Sequence, residues 1–229
     1  MRVKQRQPFL GCGMSLNRGV VGVWPLPEGS GTVTRDLSGR NNWGSLAGGA
    51  GITWQNSQYG PVLDFDGSDS LIAASPVTVT APYSLHILFQ ARTFPGNSVI
   101  FANDDSSGGS GFQLTILTAD LSFWAGAAWL VGPTLVADAW YHATIVNLGV
   151  GACSMYVDGI LAVSGNAGAA GIGDFATTIG AAYHSNHSTI VYELDGQVGM
   201  AALWDRELMP NEITLLATDP FSIFQQPLR

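Results

Sequence analysis

The sequence predicts an all-β protein: two stacked antiparallel sheets forming a sandwich, closed by one short C-terminal helix. Three observations carry this. Period-two alternation of apolar and polar residues recurs from Gly19 onward, between turns rich in glycine, proline and aspartate. With 29 Gly and 11 Pro against 11% charged residues, the chain is rich in turn formers and poor in the Lys, Glu and Arg that cover surface helices. At 229 residues and 46% hydrophobic composition, one large sandwich can fill its own core without a second domain.

The elements follow in order. Residues 1–18 lack periodicity and read as a basic arm, opened by Arg2, Lys4 and Arg6; residues 19–229 read as one domain. In LDFDG, Leu63 and Phe65 face one way while Asp64 and Asp66 face the other. In YSLHILFQAR, Leu85, Ile87, Phe89 and Ala91 form the inward set, opposed by His86 and Gln90. In FQLTIL, Phe112, Leu114 and Ile116 alternate with Gln113 and Thr115. CSMYV and ILAVS flank Asp158-Gly159, whose glycine accepts the positive φ of a two-residue hairpin turn. TIVYEL and QVGMAALW bracket Asp195-Gly196, which reads as a second turn. The helix is predicted over 210–217: Pro210 suits the first turn, Glu212 complements the positive dipole end, and Ile213, Leu215 and Leu216 supply an apolar side. Pro220 and Pro227 forbid its continuation.

Charge excludes whole classes of function. Three of the nine cations lie in the first six residues, so the body sets six arginines against 17 acids, a net −11. Such a body repels phosphate backbones, and nucleic acid is not an expected partner. Acidic groups on loops suit a hard cation such as calcium instead. No apolar run reaches the roughly 18 residues of a membrane span. Pro8, Gly11 and Gly13 interrupt the stretch after the basic opening, so neither a membrane partner nor a cleaved export signal is expected. Cys12 and Cys153 are too few for a disulfide framework and read as free thiols. There is no G-x-S-x-G elbow, no G-x-x-x-x-G-K phosphate loop, no H-E-x-x-H and no C-x-x-C.

Six landmarks in order resemble one family. VVGVWPLPEGSGTVTRDLSGRNNWGSL, with Trp24, is similar to the opening strand and D-x-S-G-x-N loop of laminin-G-like jelly rolls. YGPVLDFDGSDSL, DAWYHATIV, MYVDGIL and TTIGA resemble the strands that follow in that family, and DGQVGMAALWDRELMPNEI resembles its closing strand and helix. Met209 stands where the family has a helix-capping serine, and Tyr141-His142 where it has two histidines. The resemblance implies a jelly-roll sandwich of the concanavalin A-like lectin and glucanase kind. It also implies a binding module for glycans or protein partners, often with a calcium ion. DPFSIFQQPLR further resembles the tails of such proteins encoded by bacteriophages.

Candidate sites follow from residue types. In DLSGRNN, Asp36 offers a carboxylate, Asn41 or Asn42 an amide oxygen, and the backbone near Gly39 its carbonyls, toward the six to eight oxygens calcium takes. The resemblance adds a ligand from near Asp195. The competing reading of this loop is an Asx turn in which Asp36 caps its own backbone. Glu193 and Asp195 in E-L-D fall on one face of a predicted strand. Laminarinase-type glycosidases, which share the sandwich, use E-x-D-x-x-E; here Val198 replaces the last acid, so no catalytic residue is assigned.

Tyr183, His184, Asn186 and His187 form a loop suited to sugar contact, where aromatic faces pack on rings and amides hold hydroxyls. Asn103, Asp104 and Asp105 form a second polar loop. Among seven tryptophans, Trp24, Trp140 and Trp204 sit in strand patterns and read as core. Trp124 and Trp129 flank a small-residue stretch and are the pair expected to reach a ligand, while Trp43 and Trp54 stay open.

Together these readings predict a non-enzymatic binding or structural protein on a bacteriophage virion surface, decorating capsid or tail. Its arm would dock on a viral capsid or tail protein, and its loops would meet a glycan. The alternatives are a free carbohydrate-binding module, secreted or at a cell surface, and a laminarinase-type hydrolase. An exposed sheet edge would suit pairing with a second copy in a homo-oligomer.

Overall fold

The alternating segments pair into two antiparallel sheets. The computed structural model describes residues 15–48, 51–68, 70–103, 111–149, 151–168, 176–184 and 189–224. In the first sheet the spatial order is β14 (Ile160–Gly165), β13 (Cys153–Val157), β12 (Trp140–Asn147), β7 (Tyr83–Ala91), β18 (Asp195–Trp204), β5 (Gly60–Asp66) and β4 (Ile52–Ser57). Strand β1 (Val20–Trp24) pairs with the far half of β18. In the second sheet the order is β11 (Trp129–Thr134), β10 (Asp120–Trp124), β9 (Phe112–Leu117), β8 (Asn97–Asn103), β15 (Thr177–Ile179), β6 (Ser70–Ala74), β3 (Gly44–Gly48) and β2 (Val33–Thr34). A small hairpin of β16 (Ala182–His184) and β17 (Thr189–Val191) stands apart, and helix α1 runs Pro210–Thr218. This is the expected all-β sandwich with one short helix.

The predicted inward sets meet between the sheets. Leu63 and Phe65 of β5, Leu85, Ile87, Phe89 and Ala91 of β7, and Phe112, Leu114 and Ile116 of β9 join one buried cluster with Trp24 and Phe123. Trp24 and Phe112 both meet Phe101 edge-on, at centroid distances of 6.1 and 5.5 Å. Each fully buried aliphatic or aromatic side chain of this kind stabilises the fold by about 1.5–3 kcal/mol. Cys153 is buried in the same cluster, where desolvation pushes its thiol up to about 12, so it stays protonated and inert at neutral pH.

The outer face of the first sheet is covered as well, which alternation alone did not foretell. Val20, Val23, Leu88, Val146, Met200, Ala202 and Trp204 pack beneath Leu208, Ile213 and Leu216 of the helical segment, with Leu16 and Ile223 from the chain's two flanks. The indole N–H of Trp204 donates to the carbonyl of Leu16 at 2.7 Å. The fold therefore includes residues before Gly19, with Leu16 packed in it.

Helix α1 starts without the serine cap. Glu212 compensates: its carboxylate accepts the Met209 backbone N–H at 2.8 Å and a two-pronged ion pair from Arg206, both contacts 2.8 Å. Arg206 also donates through Nε to the Arg18 carbonyl at 2.6 Å, tying the N-terminal segment to the helix start.

Two local expectations are corrected. Asp195-Gly196 is not a turn but the beginning of β18, because β17 pairs back on β16 and leaves β18 to pair with β5 and β7. Glu193 precedes that strand, so Glu193 and Asp195 do not share a strand face.

Candidate functional site

On the outer face of the second sheet, one cross-strand row runs Ser45, Ala73, Thr178, Ala102, Gln113, Trp124, Trp129, each residue the register partner of the next. Leu121, Phe123 and Ala125 take the inward side of the β10 segment, which turns Trp124 outward; Leu130 does the same for Trp129. The two indoles stand opposite one another on β10 and β11, Trp124 half-buried and Trp129 40% exposed. Gln113 beside them is only 5% exposed. The row carries no ionisable side chain; near the tryptophans its other members, Gln113, Ala102 and Thr178, are buried, so the surface it presents there is the two indoles.

The β16–β17 hairpin forms a wall along this row. Ala182 and Val191 pack on Val99 and Ala102, the outward residues of β8. Because strands lie about 4.8 Å apart, Ala102 is about 10 Å from Trp124 and about 14 Å from Trp129 along the row. Tyr183 and His184 sit on that hairpin, both half-buried, and burial raises the Tyr183 hydroxyl above its ordinary pKa. Four of the predicted contact residues are thus brought to one face: Trp124, Trp129, Tyr183 and His184. Asn186, His187, Asp104 and Asp105 lie outside the described residues. Asn103 turns away from solvent, buried, and its Nδ2 donates to Thr177 Oγ1 at 3.0 Å.

The three predicted calcium ligands are not brought together. Asp36 is 5% exposed and its carboxylate is fully engaged. Oδ1 accepts the N–H groups of Val23 at 2.9 Å and Ser38 at 2.8 Å, while Oδ2 accepts the Ser38 hydroxyl at 2.7 Å and the Asn42 N–H at 2.9 Å. The loop is an Asx turn that staples β1. Asn41 is exposed at φ 60°.

Asp195 lies elsewhere: the loop is pinned beside Val23, whose partner on β18 is Ala202, about 20 Å along the strand from Asp195. There Asp195 accepts Arg92 Nε at 2.7 Å and the Thr93 hydroxyl at 2.8 Å. The four donors on the Asp36 carboxylate take the lone pairs that a bound cation would use. Among the described residues no three His, Cys, Asp or Glu side chains converge on a metal position.

Trp140 is the residue that strand patterning misplaced. It shares the outward side of β12 with His142 and Thr144, and it is half-buried against Tyr59, ring centroids 5.2 Å apart. The parity of inward Ile145 on the same strand carried that information.

A family model described as the concanavalin A-like lectin/glucanases superfamily, of the laminin G type, matches residues 65–214. The chain belongs to this superfamily. The matched span runs from Phe65 into the first half of α1 and so includes the tryptophan pair and the hairpin. Solved structures share the sandwich at low identity. Domain 4 of AbnA, a GH43 extracellular arabinanase from Geobacillus stearothermophilus, in complex with arabinotriose, superposes with TM-score 0.70 at 16% identity, covering 86% of this chain and 98% of that one. The binding domain of Paraclostridial Mosquitocidal Protein 1 gives 0.71 at 14%, covering 93% of this chain and 56% of its own. Trypanosoma rangeli sialidase in complex with sialic acid gives 0.65 at 19%, covering 91% and 34%. A comparison with curated protein sequences finds no match. At these identities the superfamily likeness establishes the fold.

Proposed function

We propose that this chain is a non-catalytic carbohydrate-binding domain, with the outer face of the second sheet as its contact surface. The tryptophan pair carries the reading: two adjacent, outward, partly exposed indoles on a rigid hairpin, in a row without charge, with Tyr183 and His184 on a wall beside them. Large flat side chains held by a sheet suit the apolar faces of sugar rings, and little conformational entropy is lost when they bind. The relatives support the same class, since one is an arabinanase domain solved with arabinotriose and another is a toxin's binding domain. Catalysis is not part of this reading: Val198 occupies the third acid position and Asp195 is held by Arg92.

The test is an immobilised glycan array probed with the wild type and with the Trp124→Ala/Trp129→Ala double variant. Binding to at least one glycan class, lost in the variant at unchanged Tm, is expected. No binding, or binding indifferent to both tryptophans, would overturn the proposal. Reducing-sugar release from β-glucans by the wild type would replace it with a hydrolase.

The finer placement on a bacteriophage virion surface rests on the likeness of the closing residues to phage-encoded tails and on the basic arm. Residues 1–14 and 225–229, which carry both features, lie outside the described residues. Three cations within six residues would hold an acidic capsid or tail protein weakly and in a salt-sensitive manner. Deleting residues 1–14 should release the domain from particles; attachment that persists would remove the docking role.

A further inference from the structure

The outer face of the first sheet is only half covered. The helix, the N-terminal segment and Tyr59 occupy one half, and Trp140 packs at its margin against Tyr59. From that margin outward a second cross-strand row runs Trp140, Gln90, Gln197, Asp64, again each the partner of the next. At strand spacing it spans about 14 Å. All four side chains are half-buried rather than free in solvent.

Each glutamine is held through its amide nitrogen, with its amide oxygen left open. Gln90 Nε2 donates to the Asp138 carbonyl at 2.6 Å, and Gln197 Nε2 donates to Asp64 Oδ1 at 2.9 Å. Asp64 is in turn clamped by Arg92 Nη1 at 2.6 Å. Neither glutamine's Oε1 receives a hydrogen bond within the described residues, nor does the Trp140 indole N–H find an acceptor there. The edge-on contact with Tyr59 fixes the Trp140 ring. The shelf therefore presents two oriented acceptors, one indole donor and an aromatic surface, with their rotamers already fixed by other contacts. Preorganised groups of that kind lose little entropy on engaging a ligand.

From this geometry we infer a second carbohydrate-binding surface on the opposite side of the sandwich from the tryptophan pair, taking a neutral oligosaccharide. Sugar hydroxyls donate to Gln90 and Gln197 Oε1, and a ring packs on Trp140. Neutrality follows from the surroundings: Asp64, Asp195 and Asp138 outnumber Arg92, so a carboxylated sugar is repelled. Two surfaces facing opposite ways would let one domain bridge two glycan chains, and bivalent attachment raises avidity without any new contact.

Side-chain NMR of the full-length protein tests this directly. The probes are arabinotriose, cellotriose and laminaritriose, which are neutral, and 3′-sialyllactose, which is anionic, each added separately at millimolar concentration. At least one neutral trisaccharide should move the Nε2 resonances of Gln90 and Gln197 and the Trp140 indole signal, whereas sialyllactose should leave all three unmoved. Gln90→Ala/Gln197→Ala, with its Tm checked, should remove the Trp140 shift and leave any response at Trp124 and Trp129 in place. Failure of all four probes to move Trp140, Gln90 or Gln197 overturns the second surface, whatever happens at the tryptophan pair. A stronger response to sialyllactose than to the neutral probes overturns its assignment to neutral sugars.

Discussion

Lowering the pH from 7 to 5 should cost the fold about 2 kcal/mol through His86 alone. His86 is fully buried on the outward side of β7, its Nδ1 paired with Thr144 Oγ1 at 2.8 Å and its Nε2 without a partner among the described residues. The ring lies 5.7 Å from that of His142, which Tyr59 caps from the β4–β5 turn. Burial, and then the neighbouring His142, lower the His86 pKa from 6.5 to about 3. Burial also lowers His142, against an opposing pull from Asp158.

His86 stays neutral in the folded state at pH 5 and takes up a proton once the chain unfolds. Stability is therefore complete above the unfolded value of 6.5 and falls as pH drops from there toward 3. At pH 5 the His86 deficit is 1.5 pH units at about 1.4 kcal/mol each, equivalent to about 4–8 °C of Tm for a chain of this size. Urea unfolding of the wild type and of His86→Gln at both pH values isolates it, since carboxylate titration is common to the two proteins. The variant should lose about 2 kcal/mol less between pH 7 and 5, even if it starts less stable. Parallel pH dependences would refute the reasoning.

Three further substitutions probe the parts that hold the sites in place. Asp36→Ala should destabilise by about 2–4 kcal/mol, since it strands the buried Val23 N–H and frees the loop, and the loss should be equal in calcium and in chelator; a calcium-dependent loss would contradict the Asx-turn reading. Glu212→Ala should cost about 3 kcal/mol by removing the buried carboxylate that holds Arg206 and the Met209 N–H at the helix start, read as a lower urea midpoint; a loss below about 1 kcal/mol would show the ion pair to be idle. Gly196→Ala should cost about 1–3 kcal/mol or more, because the added Cβ would lie 2.1 Å from the Gln90 carbonyl oxygen and force β18 away from β7; an unchanged Tm would contradict that close approach.

Much of the sandwich was legible because alternation reports directly on a face packed against a second sheet. Phe89 and Leu114 were assigned inward from spacing alone and lie in the common core. The Asp158-Gly159 hairpin and the helix at Pro210 follow equally local rules. What alternation cannot say is whether the other face is also covered. Leu88, Met200 and Trp204 are apolar on the outward side because Leu16 and the helix cover them, a contact between chain ends nearly 200 residues apart that no local pattern encodes.

Asp195-Gly196 misled for a related reason. An aspartate–glycine pair marks a turn only where its flanking strands pair with each other, and here Gly196 is required instead by its contact with β7. Asp36 shows the corresponding limit for sites: one short carboxylate in a glycine- and asparagine-rich loop can serve either a cation or its own backbone, and only the donors around it decide. Trp124 and Trp129 were recognisable as exposed, but their register, which makes them a platform, comes from the β10–β11 pairing.

The most direct test is calorimetric titration of the tightest-binding array glycan into the wild type and into Trp129→Ala. A domain that grips sugar through the outward indoles loses at least tenfold in affinity on this change, about 1.4 kcal/mol, with its melting temperature intact. Equal affinity in the two proteins would show that the tryptophan platform is not where carbohydrate binds.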